Sequence, residues 1–340
     1  MRAMEALLYE KLADQKVRCA LCSHRCIVAD GKRGICNVRE NQGGVLHTLV
    51  YGRLIARHID PIEKKPLYHF LPGSLSYSIA TVGCNFRCRF CQNADIAQLP
   101  TDHGGTIIGE TASPEAVVKA AQRAGCRSIS YTYTEPTVFF EFALDTATLA
   151  HAKGIRNVFV TNGYMTLEAL QQISPVLDAA NVDLKAFTPK YYKDLCGAKL
   201  EHVQGTLRNM KSLGVFVEVT TLIVPGLNDD PDELKALAAF MVNDLGCDTP
   251  WHISRFHPTY RLTDRPPTPV KTLRQAREIG LAAGLRYVYT GNVPGDAGEN
   301  TFCPGCGEIV IDRWGFQVGK VRLNNGRCAS CGVKIEGVWG

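Results

Sequence analysis

The sequence lacks three features that would assign it to a membrane, nucleic-acid-binding or secreted class. No run of about 18 consecutive apolar residues is present, so no segment is expected to span a membrane. No block of like charge is present, and a net charge of +5 is too small to indicate nucleic-acid binding. The N-terminal stretch lacks the apolar core of a signal peptide, which predicts a cytoplasmic protein.

Cysteine, by contrast, is abundant, with 14 residues in a chain of 340. A chain of this size without a signal peptide is not typical of a disulfide framework. Eleven of the 14 cysteines fall into three compact sets, and clustered thiols in a reducing compartment indicate metal binding. The other three, Cys126, Cys196 and Cys247, are interpreted as small buried apolar side chains.

Strand and helix patterns alternate regularly through the middle of the chain. One helix is predicted from Ser113 as N-cap and Pro114 in the first turn, ending at Gly125. Such alternation indicates parallel βαβ units, and six or seven units fit an open, partial barrel better than a closed eight. The N-terminal MRAMEALLYEKLADQ is predicted to be a short amphipathic helix. We expect a Cys-rich module with a connector over 1–76, the barrel over 77–298 and a second Cys-rich module over 299–340.

The middle cysteine set, in CNFRCRFC, places Cys84, Cys88 and Cys91 within eight positions. Thiolates hold iron–sulfur clusters, and a cubane [4Fe–4S] cluster normally takes four of them. Three sulfurs from one loop would leave one iron without a protein ligand, where a substrate or cofactor can bind. A zinc ion with three thiolates and an outside fourth ligand is the alternative.

The CxxxCxΦC form of this stretch, with Phe90 as the aromatic residue, resembles the radical S-adenosylmethionine (SAM) superfamily. Within it, the chain resembles the activating enzymes of glycyl-radical enzymes such as pyruvate formate-lyase, and more closely the AmmeMemoRadiSam-type proteins. The closer resemblance is carried by DPIEKKPLYHFLPGS, CNFRCRFCQNADIAQ, YTYTEPTVFFE, VTNGY, VDLKAF, IVPGLND and YTGNVPG. The sequence departs from this resemblance at Ala94, where an aromatic residue is expected. The resemblance implies an α/β fold with a partial (β/α)6 TIM-like barrel, a [4Fe–4S] cluster, and SAM chelated to its open iron.

The same resemblance suggests roles for residues that close the strands. Glu135 is expected to contact the SAM amino group, although Tyr133 and Thr134 replace the glycines of the family's GGE-like motif. Its alternative is an ordinary glutamate in a first helical turn. Contacts to the ribose and carboxylate are expected from Asn162, Asp183 and Lys185, of which the last two could instead form a structural ion pair. The remaining cofactor-binding candidates are Phe90, Pro225, Gly226 and His252.

The stretch HISRFHPT is the candidate for the substrate side. Alternate residues of a strand face opposite sides, so His252 and Ser254 cannot share a face with Arg255 and His257. By resemblance to a late-strand histidine of the activating enzymes, His252 is expected on the SAM side. Arg255 or His257 is the candidate for binding an anionic substrate, with a purely structural histidine as the alternative.

Two further cysteine sets flank the barrel. At the C-terminus, CPGC and CASC surround a predicted hairpin, which favours a closed zinc-ribbon-like site over an auxiliary iron–sulfur cluster. The N-terminal set, with His24 nearby, fits zinc and a second [4Fe–4S] cluster almost equally, with zinc slightly favoured. The two sets are Cys303, Cys306, Cys328 and Cys331, and Cys19, Cys22, Cys26 and Cys36.

Three functions follow from the resemblance. The first is a radical SAM enzyme whose 5′-deoxyadenosyl radical abstracts hydrogen from a small molecule, for C–H activation or carbon–carbon bond formation. The second is an activating enzyme that places a radical on a partner protein. The third is a metal-bound scaffold for Memo-like and AMMECR-like proteins, which the intact three-cysteine motif argues against. The implied partners are SAM and a low-potential electron donor under anaerobic conditions.

Overall fold

The computed structural model describes residues 4–340. Its centre is a sheet of eight strands in which chain neighbours are also spatial neighbours, so the order runs β8-β7-β6-β5-β4-β3-β2-β1. Strand β1 is antiparallel to β2, and the other strands are parallel. Because β1 and β8 do not pair, the barrel stays open. The strands are β1 Ala56–Pro61, β2 Leu75–Ala80, β3 Ser128–Tyr131, β4 Arg156–Thr161, β5 Ala179–Asp183, β6 Phe216–Ile223, β7 Trp251–Arg255 and β8 Val288–Gly291.

Six main helices connect the seven parallel strands in turn, which confirms the predicted partial (β/α)6 barrel. The first starts as the sequence predicts, because the Ser113 hydroxyl accepts a hydrogen bond from the Ala116 amide at 3.2 Å. Its buried face carries Val117 and Ala121. The helices are α1 Pro114–Arg123, α2 Phe140–His151, α3 Leu167–Ile173, α4 Leu200–Ser212, α5 Pro231–Phe240 and α6 Val270–Ala282.

The helix predicted at the N-terminus is wrong for the part that the structure describes. Met4–Glu5 pairs with a strand at Val45–Thr48, and Tyr9–Lys11 pairs with Val17–Cys19. Between them Leu8 has a φ of 56°, in the left-handed region that interrupts a right-handed helix. Residues 1–3 of the predicted helix lie outside the described residues. Pairing with distant strands has therefore overridden the local helical pattern.

Short elements complete the modules on either side of the barrel. In the C-terminal module the predicted hairpin is present, with Ile309–Trp314 antiparallel to Gln317–Val321. No helix in residues 4–340 is long and apolar enough to cross a membrane. The remaining strands are Ile27–Val28, Arg39–Gln42, Arg53–Leu54, Glu110–Thr111, Thr301–Phe302, Leu323–Asn324 and Arg327–Cys328, and two single-turn helices occupy Ala94–Ala97 and Leu99–Asp102.

The connector between β1 and β2 packs inside the lower, N-terminal half of the barrel. Glu218 on β6 is fully buried there and accepts hydrogen bonds from the backbone amides of Tyr68 and His69 at 3.0 and 2.8 Å. His252 on β7 lies against the same carboxylate, with its Nε2 2.6 Å from Glu218. Pro66, just before this buried segment, lines the cavity above. The connector therefore forms the floor of the cavity.

Candidate metal and cofactor site

A cavity of about 520 Å³ opens above this floor, at the carboxyl ends of the strands. Sites of barrel enzymes lie at this end, because the loops that follow the strands converge there. The cavity brings together the three cysteines of the middle set and polar residues that close β3, β4, β5 and β7. These lining residues include Cys84, Cys88, Phe90, Cys91, Glu135, Asn162, Asp183, Lys185 and Ser254.

The three-cysteine loop is fixed by backbone contacts on both sides. The amides of Arg87 and Arg89 donate to the carbonyls of Cys196 and Leu195 at 2.8 and 3.0 Å. On the other side, Gly83 has a φ of 102°, and a Cβ there would lie 2.5 Å from Val38 of the N-terminal module. Any other residue at Gly83 would therefore displace the loop. Cys196 also packs its thiol against Cys88, a contact that nothing in the cysteine spacing indicated.

The electrostatics of the three thiols favour a bound cation or cluster. Burial raises the pKa of Cys84 well above that of a free thiol, and the nearby Glu135 carboxylate adds to the shift. The hydrogen bond to Cys196 and burial do the same for Cys88, and burial raises the pKa of Cys91 to about 11. Three thiolates can share this cavity at neutral pH only when positive charge from a metal compensates them.

Glu135 faces the cavity from the end of β3 and is almost completely buried. Its carboxylate accepts four hydrogen bonds: from the Thr137 amide and hydroxyl, from the Thr161 hydroxyl and from the Asn162 amide, at 2.5 to 3.1 Å. Burial nevertheless raises its pKa above the usual value. All four donors are uncharged, and no cation in residues 4–340 pairs with this carboxylate. A cationic ligand would supply the missing counter-charge.

Two buried acceptor atoms on the cavity wall have no partner within the described residues. Asn162 donates from Nδ2 to Asn85 Oδ1 at 2.7 Å, but its own Oδ1 is unpaired. Gln98 donates to the carbonyl of Phe86 at 3.0 Å, and its Oε1 is likewise unpaired. Buried polar atoms are rarely left without partners. Both atoms are therefore available to a polar ligand, such as the amine or hydroxyl groups of a nucleoside.

Asp183 and Lys185 close β5 on the opposite wall. Their side chains form an ion pair of 2.8 Å, and both line the cavity, while Leu184 between them is buried on the other side. Burial disfavours the charge of Lys185, but the Asp183 carboxylate prevails and holds its pKa well above the usual value. The ammonium also lies 5.9 Å from the ring centroid of Phe90. Lys185 is thus a fixed cation beside the three-cysteine loop.

Five predicted residues do not reach the cavity. On β7 the alternation places Ser254 on the cavity wall, and His252 on the same face lies one step lower, under the connector. Arg255 points to the other side and donates to the carbonyl of Thr268 at 2.8 Å. His257 is exposed beyond the strand end. The turn that contains Pro225 and Gly226 also lies outside the cavity lining.

The four C-terminal cysteines form a compact metal site. Their sulfur atoms lie within 4.8 Å of one another, with Cys303 to Cys331 at 3.4 Å and Cys306 to Cys328 at 3.7 Å. A zinc tetrahedron with bonds near 2.3 Å has sulfur–sulfur edges of about 3.8 Å. The backbone amide of Cys331 lowers the pKa of the Cys328 thiol, which helps to supply a thiolate. The geometry fits a closed, tetrahedral ion.

The N-terminal cysteines are arranged differently. Cys19, Cys22, Cys26 and Cys36 line an apolar pocket together with the buried Arg39, which donates to Cys19 Sγ at 3.2 Å. Among residues 4–340, only the C-terminal set gathers its ligand atoms within 4.8 Å. His24 Nε2 lies 2.8 Å from the carbonyl of Asn85, directly beside Cys84. This wider pocket therefore adjoins the three-cysteine loop.

We predict that the C-terminal set holds one zinc ion per chain with four sulfur ligands at about 2.3 Å. Cys328→Ser should remove that zinc and lower the melting temperature, because Arg313 and Val338 of this module bind the connector backbone at Tyr68 and His69. Metal analysis and X-ray absorption of the full chain check this, with Cys247→Ser as the control. Iron and acid-labile sulfide at this site would contradict it.

Comparisons with known proteins agree with this geometry. Residues 78–241 match the Radical SAM superfamily. The chain is 49% identical over 334 residues to the uncharacterized protein MJ0808 of Methanocaldococcus jannaschii, covering 98% of each. It is 24% identical over 176 residues to the pyruvate formate-lyase-activating enzyme of Streptococcus mutans, covering 50% of this chain and 66% of that enzyme. The fold matches a radical SAM methyltransferase from Sphaerobacter thermophilus with a TM-score of 0.51 and 15% identity, over 68% of this chain and 71% of that one.

The chain belongs to the radical SAM superfamily and is similar to pyruvate formate-lyase-activating enzymes. Membership implies an enzyme that uses a [4Fe–4S] cluster and SAM. The residues present fit both groups. Three thiols surround a cavity that also offers an uncompensated carboxylate, a fixed ammonium and two unpaired acceptors.

Proposed function

We propose that the protein cleaves SAM reductively at a [4Fe–4S] cluster held by Cys84, Cys88 and Cys91, and that it acts on a small-molecule substrate. When bound, the cluster and SAM supply a 5′-deoxyadenosyl radical that takes a hydrogen atom from the substrate. The observation that carries the proposal is the three-thiol loop facing a cavity of about 520 Å³. A fourth protein thiolate would close the site, whereas three leave a position for SAM.

The lining residues divide into roles by charge. Glu135 has no cation partner and would bind the SAM ammonium. Lys185 would bind the SAM carboxylate or a ribose hydroxyl, held in place by Asp183. The unpaired Oδ1 of Asn162 would accept from ribose or adenine, and Phe90 would provide an apolar wall. These assignments place the SAM ammonium against a carboxylate that has no cation partner, and a polar group against the unpaired Asn162 Oδ1.

The position of the C-terminal module at the cavity mouth favours a small molecule over a protein substrate. Phe316, at the tip of the C-terminal hairpin, lines the cavity together with Asn292 from the end of β8. The C-terminal module therefore narrows the mouth through which a peptide loop would have to enter. The alternative, an activating enzyme that places a radical on a partner protein, draws support from the similarity to pyruvate formate-lyase-activating enzymes.

The remaining assignments extend this proposal. An external low-potential donor would deliver the electron, and a cytoplasmic location would suit the reduced thiols. The wide spacing of the N-terminal sulfurs supports a second cluster there over a single zinc ion. An AmmeMemoRadiSam-type role, with Memo-like and AMMECR-like partners, rests on the sequence stretches that carry that resemblance. A scaffold without turnover would not require a three-thiol site.

Deuterium transfer tests the choice of substrate class. Reconstituted, reduced protein is incubated with SAM and an extract of cells grown in deuterated medium, divided into dialysable and retained fractions. We expect 5′-deoxyadenosine that is heavier by one mass unit with the dialysable fraction only. Deuterium transferred from the retained protein fraction alone would favour the activating-enzyme alternative.

A further inference from the structure

Two adjacent lysines stand at the edge of the cavity and take no part in the roles assigned above. Lys64 ends a single 3₁₀ turn after β1, and Lys65 follows it directly. Both line the cavity that contains the three cysteines. The Lys65 side chain is only 1% exposed, whereas that of Lys64 is 44% exposed. A lysine that is almost completely buried needs a compensating anion.

One carboxylate serves both ammonium groups. Asp60, at the end of β1, accepts from Lys64 at 2.8 Å through Oδ1 and from Lys65 at 2.7 Å through Oδ2. The three residues therefore carry one net positive charge. Each ammonium has three N–H donors and uses one of them in its hydrogen bond to Asp60, so the other donors remain available to a ligand. The other cavity lysine, Lys185, forms a one-to-one ion pair with Asp183, so that pair carries no net charge.

Tyr133 holds the lysine pair in place. Its hydroxyl donates to Asp60, and its ring centroid lies 4.5 Å from the Lys65 ammonium. Tyr133 has a φ of 61°, a conformation that disfavours residues other than glycine, and Asn93 Nδ2 binds its carbonyl at 2.8 Å. Backbone strain of this kind concentrates at functional sites. Here it aims a tyrosine at Asp60 from a position where the family pattern has glycine.

We infer that Lys64 and Lys65 bind a carboxylate or phosphate group of the substrate, so that the small molecule proposed above is an anion. This inference rests on the proposed function. The lysines come from the β1 edge of the barrel, and Lys185 comes from β5, four strands away in the sheet order. Glu135 closes β3 between them. SAM bound at Glu135 and Lys185 would thus leave the lysine pair for a second ligand.

Because the charge of Lys65 changes with pH, the affinity of the lysine pair for an anion should change as well. Burial lowers the Lys65 pKa to about 8, although Asp60 partly offsets the effect. The ionisable groups facing it are Asp60, Lys64 and Tyr133. The exposed His58 packs edge-on against the Tyr133 ring, and it lines an outer pocket together with Asp95 and Lys64. Anion affinity should therefore be constant well below this pKa and fall as the pH rises through about 8.

Sulfate is a suitable probe, because its charge does not change over this pH range. Calorimetric titration of sulfate into cluster-loaded protein, at saturating SAM and pH near 7, should show binding. Lys64→Met and Lys65→Met should each weaken it about tenfold, the loss expected for a charge-assisted hydrogen bond. Lys190→Met, which changes an exposed lysine paired with Asp194, should have no effect. In Lys65→Met the fall in affinity above pH 8 should disappear.

Two results would overturn the inference. Equal sulfate affinity in the wild type and both cavity variants would show that the lysines bind no anion. Sulfate binding that disappears when SAM is added would show that they hold the SAM carboxylate instead. Cluster absorbance and its change with SAM are recorded for every variant, and Lys64→Met, at a half-exposed position, decides the matter if Lys65→Met fails to fold. Failure of the wild type to respond to SAM would count against the proposed function, independently of the sulfate comparison.

Discussion

Alanine in place of Cys84, Cys88 or Cys91 is expected to abolish 5′-deoxyadenosine formation. The expected fall exceeds about a hundredfold, because even loss of a group that only supports a metal ligand costs up to that factor. All three thiols face the cavity from a single loop, and no other thiol in the lining can replace one of them. The measurement is 5′-deoxyadenosine released per cluster by anaerobically reconstituted, reduced protein.

A matched cysteine outside the three sets provides the control. Cys247 belongs to none of the three sets; it is partly buried, and its thiol lies 3.8 Å from Asp248. Cys247→Ala should retain both the cluster and its activity. Cys196→Ala is more informative, because Cys196 packs on Cys88 without lining the cavity. It should retain cleavage with a lowered yield of cluster. Full cleavage activity in any of the three motif variants would contradict the assignment.

The second large effect is expected at Glu135. Glu135→Gln should weaken SAM binding about ten- to a hundredfold while the cluster still assembles. The amide keeps the shape of the carboxylate but removes the negative charge that faces the SAM ammonium. The substitution also replaces one acceptor oxygen by an NH₂ donor. That donor would face the Thr137 and Thr161 hydroxyls and the Asn162 backbone amide, which donate to Glu135. SAM titrated against the cluster spectrum measures the change, with the exposed Glu115→Gln as the control.

Lys185 tests the contact proposed for the SAM carboxylate or a ribose hydroxyl. Lys185→Ala should weaken SAM binding by a similar factor, but it also leaves Asp183 unpaired in the cavity, which alone would repel an anionic group. The double variant Asp183→Asn with Lys185→Ala removes that complication. Affinity restored in the double variant would mean that Lys185 serves only to neutralise Asp183. Unchanged affinity in Glu135→Gln and Lys185→Ala alike would refute both strand-end assignments.

The sequence predicted the order of elements well, and the reason is physical. Hydrophobic patterns and caps such as Ser113 act locally, and the right-handed crossover rule leaves few arrangements for consecutive βα units. The same rule brings the residues closing parallel strands to one edge. Glu135, Asn162, Asp183 and Lys185 were expected at such strand ends from the family resemblance, and all four line the cavity.

The sequence did not indicate how deep inside the barrel a given residue lies. His252 lies on the same face of β7 as Ser254, yet the connector separates it from the cavity. Alternation along a strand indicates which side a residue faces, but not which chain segment fills the space in front of it. Lys65 shows the converse. The local pattern around Lys65 indicates no role, because its burial depends on Asp60 in β1 and on Tyr133, which is distant in sequence.

The most direct test is electron paramagnetic resonance of the reduced, reconstituted wild type, recorded with and without SAM. A cluster held by Cys84, Cys88 and Cys91 should give a [4Fe–4S] signal that changes on adding SAM, because SAM would occupy the iron that the three thiolates leave open. Methionine and 5′-deoxyadenosine should then appear in equal amounts. A zinc ion at these cysteines, or a cluster signal that SAM leaves unchanged, would contradict this expectation.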